Sequence, residues 1–161
     1  KDIPIEIYEN KYPVTIRNYG LRRDTGGPGT MRGGCGLYKE YTVNTDLNLS
    51  LWFERSKTTG WGLFNGKDGI GPNVNIKHSS GKEENRLKSN SYPIKKGTVV
   101  TTYTGGGGGF GDSYDRDPRN VLEDVINGLV SIDKAEKDYK VIISRNMSID
   151  YSKTNDLRSK K

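Results

Sequence analysis

A mainly β, α+β fold is what this sequence predicts: a sandwich or distorted barrel with two short helices near its C-terminus. Three observations carry that expectation. Among 161 residues there are 21 Gly and a single Ala, Ala135, beside 33 Val, Ile and Thr, a balance that disfavours helical packing and favours strands and turns. Short runs in which apolar and polar residues alternate recur up to about residue 104, the period of half-buried strands. Only after Arg116 does a helical period with capping residues at both ends set in.

Taken in order, Ile3, Ile5 and Ile7 alternate with polar neighbours and Tyr12, Val14 and Ile16 repeat the pattern, so both stretches are read as strands. Gly26 to Gly36 (GGPGTMRGGCG) is turn chemistry. Leu37 to Phe53 alternates again, with a hairpin turn expected near Asn44-Thr45-Asp46. Residues 56–73 hold five Gly with Trp61 and Phe64, an ordered irregular loop if those aromatics are buried. Val74 to His78 is a short strand, Gly81 to Ser91 a polar surface excursion, and Thr98 to Thr104 a β-branched run and the best strand of the chain. Asp117 is placed to cap a helix with Pro118 at its first position, Val121, Leu122, Val125, Ile126 and Leu129 at helical spacing, and Gly128 at its end. Ser131 caps a second helix that turns Ile132, Ala135 and Tyr139 inward, after which Val141-Ile142-Ile143 resumes as a strand. Residues 1–151 are read as one β-rich domain and 152–161 as a polar, flexible tail.

Composition limits the function classes. Val, Ile, Leu and Phe total 34 of 161 residues, just above the roughly 20% below which chains tend to disorder. The net charge of +6 is dispersed, with its densest spots at Arg22-Arg23, Lys95-Lys96 and Arg158 to Lys161, whereas a nucleic-acid binder gathers its excess on one face. No run reaches the roughly 18 apolar residues of a membrane span, so neither nucleic acid nor membrane is an expected partner. One cysteine, Cys35, makes neither an internal disulfide nor, with the lone His78, a zinc site. A reducing cytoplasm is the expected setting. The chain begins at Lys1 rather than Met and is read as a piece of a longer one.

Catalytic constellations are sparse. His78 sits in a Lys-His-Ser-Ser-Gly turn without a nucleophile that needs it. Gly106, Gly108 and Gly111 satisfy the dinucleotide pattern, but five consecutive glycines satisfy many patterns, and neither a helix at Gly111 nor a Gly-Lys-Ser/Thr ending follows. Two readings of the run remain: a close-packed or mobile turn, and a nest of amides lining a ligand or anion. Asp112, Asp115 and Asp117 lack the spacing and distal Glu of a calcium loop, and the Asn-x-Ser triplets at Asn48 and Asn146 are chance-level acceptor patterns.

Three segments together resemble one family, the B subunit of the hydantoinase and oxoprolinase group. The first runs from Glu9 through Tyr12-Pro13, Tyr19, Leu21-Arg22, Asp24, Gly26-Gly27, Gly29 and Arg32-Gly33-Gly34 to Gly36; the second is Trp61-Gly62-Leu63-Phe64, Gly66-Lys67 and Gly69. The third is Gly106 to Gly109, Gly111-Asp112, Arg116-Asp117-Pro118 and then Gly128-Leu129-Val130-Ser131. Departures are few: Thr25 stands for Ser, Asn65 for Gly, Phe110 for Tyr and Gly105 for Pro.

The resemblance implies a C-terminal portion of a B subunit in an enzyme that couples ATP hydrolysis to opening a hydantoin or 5-oxoproline ring. It implies an A-type subunit and other B subunits as partners, and a cyclic amide as substrate. ATP and a divalent metal are implied for the whole enzyme, the metal ligands lying in the part of the B subunit that this chain lacks. No catalytic or metal-binding residue and no cofactor is therefore expected in this piece. Its work is expected to be structural or subunit-docking. Residues that could approach substrate or phosphate are Gly106, Gly107, Gly108, Gly109 and Asp112, then Arg22, Asp24 and Arg32, since Arg holds a carboxylate or phosphate through two parallel hydrogen bonds. The alternative is that Arg22 and Arg32 merely pair with Asp24 and Glu40. Subunits of acetone and acetophenone carboxylases share the motifs, so a carboxylase fragment is the rival within the family. A stand-alone anion- or protein-binding module is the rival outside it. A piece of a larger subunit should expose a sizeable apolar patch and an independent module should not.

Overall fold

Pro4, with its fixed φ, stands just before the first element, and Tyr8 N–H donates to its carbonyl to open helix α1 (Ile5–Lys11). Ile3 to Tyr8 is therefore not the strand that alternation suggested. A run this short fits both periods, and Glu6 in the first turn and Lys11 in the last favour the helix electrostatically. The computed structural model describes residues 3–159. Lys1, Asp2, Lys160 and Lys161, and with them the last two residues of the basic spot Arg158 to Lys161 and of the expected tail, lie outside the described residues.

The remaining elements are β1 (Val14–Leu21), β2 (Leu37–Val43), β3 (Leu47–Trp52), β4 (Asn73–Lys77), β5 (Glu83–Asn85), β6 (Lys88–Ile94), β7 (Val99–Tyr103), α2 (Pro118–Ile126), α3 (Ile132–Tyr139) and α4 (Tyr151–Arg158). The strands and short helices make a mainly β, α+β fold, and the sheets stay open rather than closing into a barrel. Two compact units alternate along the chain. One, the sheet unit, takes residues up to Gly20 with Leu37–Ser56 and Pro72–Thr104; the other, the glycine unit, takes Leu21–Gly36, Lys57–Gly71 and the chain from Gly105 on. No helix among the described residues is long and apolar enough to cross a membrane.

The sheet unit holds a five-stranded sheet of order β1-β2-β7-β4-β5 and a β3-β6 pair. Val100 on β7 faces Tyr41 on β2 and Ile76 on β4 in antiparallel register. These three, with Val43, Val74, Leu51 and Ile94, form its buried core, each aliphatic side chain contributing about 1.5–3 kcal/mol by leaving water. The chain does turn at Asn44 to Asp46, but not as a hairpin: β2 pairs with β7 while β3 pairs with β6. Asp46 accepts from Lys96 N–H at 2.9 Å and pairs with Lys95, which fixes the turn without joining its two flanks. The polar stretch Gly81 to Ser91 is likewise more than an excursion. It supplies β5 and the start of β6, and Glu84 gathers Tyr92 O–H, His78 Nε2 and Arg86.

In the glycine unit, Asp117 accepts from Arg119 N–H at 2.8 Å and Pro118 opens α2, which ends before Gly128 at φ +70°. Ser131 accepts from Lys134 N–H to start α3. Val121, Val125, Val130, Ala135, Tyr139, Val141 and Ile143 make a second core. Among the described residues Val141 to Ile143 joins no sheet, and its one ladder contact there is a bridge from Ile143 to Ile149. The stretch from residue 152, expected as a frayed tail, is mostly helix α4. Asp150 caps it, Thr154 is fully buried and accepts from Ile142 N–H, and Arg158 donates to the carbonyls of Tyr139 and Arg116.

Candidate functional site

All eight residues singled out from the sequence fall in the glycine unit. Its centre is built from three segments, 26–36, 60–71 and 105–111, laid backbone against backbone. Gly27 N–H donates to Gly107 O, Lys67 N–H to Pro28 O, Leu63 N–H to Gly109 O and Gly69 N–H to Gly60 O, at 2.7–2.9 Å. At most of their glycines the approach is so close that a side chain has no room. A Cβ on Gly106 would sit 1.9 Å from the Thr25 carbonyl oxygen, and one on Gly108 would sit 2.0 Å from that of Trp61.

This packing separates the two readings of the glycine run. The amides of Gly106, Gly107 and Gly109 donate to the carbonyls of Ile70, Gly34 and Lys67 at 2.8–2.9 Å. Three of the four N–H groups of an anion nest are thus already engaged with backbone, and the geometry is that of a close-packed turn. Gly111 lies at φ +75° and is followed by a single 3-10 turn, Ser113–Asp115, not by the helix a dinucleotide site needs. Asp112 caps that turn, accepting from Tyr114 N–H at 2.9 Å, while its carbonyl accepts from Thr30 Oγ1.

The three remaining candidates do not converge on one point. Arg22 donates to the carbonyl of Gly71 at 3.1 Å. Asp24, at φ +63°, accepts from Ser131 N–H at 2.7 Å and so clamps the start of α3. Arg32 reaches the two oxygens of Asp124 on α2, at 3.3 Å through Nη2 and 3.2 Å through Nε. For Arg32 the alternative of a pairing with Asp24 or Glu40 gives way to this one. Arg116 joins the same carboxylate at 2.8 Å and donates to Thr30 O. Burial works against the Arg32 charge, but hydrogen bonding and attraction to Asp124 outweigh it and raise its pKa. The buried Tyr139 hydroxyl beside this group is held protonated, chiefly by desolvation.

Asp124 and Arg116 were not found by sequence reasoning, yet a signal existed. Asp124 occupies the helical face of Val121 and Val125, three residues after the first and one before the second, and a carboxylate on an apolar stripe needs a buried partner. Asp24, Asp68, Lys134, Asp138 and Tyr139 border a pocket of only about 70 Å³. The sheet unit has its own open recess of about 430 Å³, where Lys39 lies over the Tyr19 ring at 4.8 Å and Tyr8, Tyr38 and Tyr41 form walls; the Tyr-Lys-Glu-Tyr run at 38–41 was its only trace in the sequence. Among the described residues, no three His, Cys, Asp or Glu side chains are grouped to hold a metal ion.

The rim of the glycine segments is apolar and open. Trp61 and Phe64, expected to be buried, are 60% and 73% exposed, and Met31, Leu63 and Phe110 are exposed beside Phe64. Order in this loop comes from backbone packing instead of aromatic burial.

Comparison with known proteins places these features. The chain is 39% identical to an uncharacterised protein of Methanocaldococcus jannaschii over 159 residues, 96% of this chain and 28% of that protein. It is 34% identical to the caprolactamase subunit beta of Pseudomonas jessenii over 93% of this chain and 27% of that subunit. The crystal structure of the ATP-dependent caprolactamase of that organism matches with a TM-score of 0.68 at 31% identity, over 97% of this chain and 28% of that one. Nucleotide-free acetone carboxylase matches with a TM-score of 0.76 at 21% identity, over 98% of this chain and 26% of that one, a likeness of fold alone. The chain spans just over a quarter of the length of the first curated relatives it matches. A family model described as hydantoinase B/oxoprolinase matches residues 1–113, most of the chain and all three glycine segments, and the chain belongs to that family.

Proposed function

We propose that this chain is the C-terminal portion of the B subunit of an ATP-dependent cyclic-amide hydrolase, of the kind that opens a hydantoin or 5-oxoproline ring, and that it frames the subunit and docks its partners. The observation that carries the framing role is the glycine lattice. The residues that mark the family are used to press three backbones together, with no Cβ room at Gly106 or Gly108 and three amides of the run already bonded. A pocket beside them of about 70 Å³ is smaller than the roughly 300–1,000 Å³ usual for a small-molecule site.

Caprolactam, hydantoin and 5-oxoproline share one functional group, a ring amide that resists hydrolysis. The likeness to a caprolactamase subunit at more than 30% identity over nearly the whole chain supports that substrate class. The carboxylase alternative draws on a likeness of fold, which hosts more than one chemistry. In this proposal an A-type subunit and the rest of the B-type chain supply the ATP and metal chemistry, in a reducing cytoplasm, and no step of it is assigned to residues of this chain.

The test is ATP hydrolysis and ring opening with hydantoin or 5-oxoproline by three samples: this chain alone, a full-length B subunit containing it, and that subunit with its A-type partner. Activity only in the last is the expected result. Turnover by the 161 residues alone would overturn the proposal.

A further inference from the structure

We propose that the apolar rim of the glycine unit, formed by Met31, Leu63, Phe64 and Phe110, is the surface on which the remaining part of a B-type subunit packs. The inference rests on the reading of the chain as a portion of such a subunit. The four residues form one patch: Met31 and Leu63 each make a β-bridge to Phe110, and the Phe64 ring meets that of Phe110 at 5.0 Å between centroids. They are 68%, 51%, 73% and 47% exposed in the order Met31, Leu63, Phe64, Phe110. Aromatic and Met side chains without charge among them are the composition of an interface core, not of ordinary surface.

Backbone conformation supplies a second, independent observation. Phe64 and Asn65 both adopt left-handed backbone, φ +50° and +69°, in a turn closed by Gly66 N–H donating to Leu63 O at 3.0 Å. Turns of that hand favour Asn-Gly, and left-handed backbone at a bulky residue is strained. Glycine at position 64 would relieve that strain and remove an exposed ring. Within the described residues Phe64 thus has a cost and little burial to offset it, as is characteristic of a residue whose partner surface lies elsewhere.

The occupant follows from length. The chain spans 26–28% of its first relatives, so in them nearly three-quarters of the same polypeptide lies outside the matched region. Covalent linkage presents that remainder at high effective concentration, ahead of any separate subunit or second copy.

The experiment folds a full-length B-type subunit containing this chain, tagged, with a protease site placed at the chain's boundary, cleaves it and measures capture of the remainder by the tagged chain, with Phe64→Asp and Phe64→Gly as variants. The expected result is a one-to-one complex by light scattering, weakened about tenfold or more by either variant, while the melting temperature of the isolated Phe64→Gly chain stays level or rises. Undiminished capture by both variants would overturn the inference and leave the B-subunit reading standing. No capture by the wild-type chain, a drop in the melting temperature of Phe64→Gly, or a wild-type homodimer broken by Phe64→Asp would each overturn it as well. The ring-opening assay judges the B-subunit reading separately.

Discussion

The sheet unit fills its interior with side chains, Tyr41, Val100 and Ile76 meeting across three strands, whereas the glycine unit removes side chains and packs carbonyl against α-carbon. In the first, a smaller residue leaves a cavity that neighbours partly fill. In the second, a larger residue has nowhere to go, because what it meets is another backbone. The difference is one of tolerance: side-chain cores lose stability in steps, while a lattice whose backbone lies within about 2–3 Å of an added Cβ at most of its glycines, Gly34 and Gly107 apart, permits no intermediate size at those positions. Only helices α2 to α4 and their own Val-rich core give the glycine unit a conventional interior.

The sharpest way to break that contrast is one methyl group. Gly108→Ala, whose Cβ would lie 2.0 Å from the Trp61 carbonyl oxygen, should destabilise by more than about 4 kcal/mol or prevent folding. Ile76→Ala in the sheet core should lose about 3 kcal/mol by cavity formation. Gly34→Ala, with nothing within 4 Å of the new atom, should stay within about 0.5 kcal/mol of wild type. Urea unfolding checks all three, and equal losses at Gly108 and Gly34 would end the lattice account.

Next in size is Asp124→Asn. It leaves Arg32 and Arg116, whose side chains are about 15% exposed, without their shared anion, and should destabilise by about 3–5 kcal/mol. If the glycine lattice alone held this unit, the change would be small. Arg158→Ala removes donors from the carbonyls of Tyr139 and Arg116 and should lower stability by about 1–3 kcal/mol. Hydrogen exchange should show α4 opening before α2 and α3.

The smallest effect concerns pH. Hydrogen bonds from Tyr92, then His78 and Arg86, hold the Glu84 carboxyl at about 2, below its ordinary 4.5. A folded-state value below the unfolded one stabilises the protein above pH 4.5 and loses that contribution as pH falls towards 2. The stability difference between wild type and Glu84→Gln should therefore be constant above about pH 5 and shrink between 4.5 and 2, as measured by denaturation across that range. A difference that grows on acidification would contradict the assigned hydrogen bonds.

Local chemistry made part of this fold legible. Asp117-Pro118 and Ser131 cap the helices expected of them, Gly128 ends α2, and the β-branched run Val99 to Thr102 is the central strand β7. What escaped was decided at a distance. Ile3, Ile5 and Ile7 alternate as in a strand, yet seven residues are too few to distinguish the periods, and Glu9 finds its partner in Ile16 N–H. Asn44 to Asp46 turns the chain, but β6 and β7, some forty to sixty residues on, supply the partners. The Glu-rich β5 owes its place to cross-strand Lys77 and His78.

At the site, all eight candidates were placed in one unit, but their roles could not be read from spacing. The Arg32 partner is 92 residues away, and five glycines in a row look the same whether they cradle a phosphate or a neighbouring carbonyl. Phe64 shows the limit most clearly, since burial was the natural expectation for an aromatic in an ordered loop.

The order in which the segments leave the ribosome adds a last consequence. All seven strands among the described residues lie before Gly105, so the sheet unit can close as soon as β7 is made, while segments 26–36 and 60–71 wait for Gly105 to Gly111. Until then the donors and acceptors that Gly105 to Gly111 will meet, among them Gly27 N–H and the carbonyls of Gly34, Lys67 and Ile70, face water or chaperones. Ribosome-bound chains ending near residue 104 should accordingly protect the sheet against protease and leave both waiting loops open to cleavage.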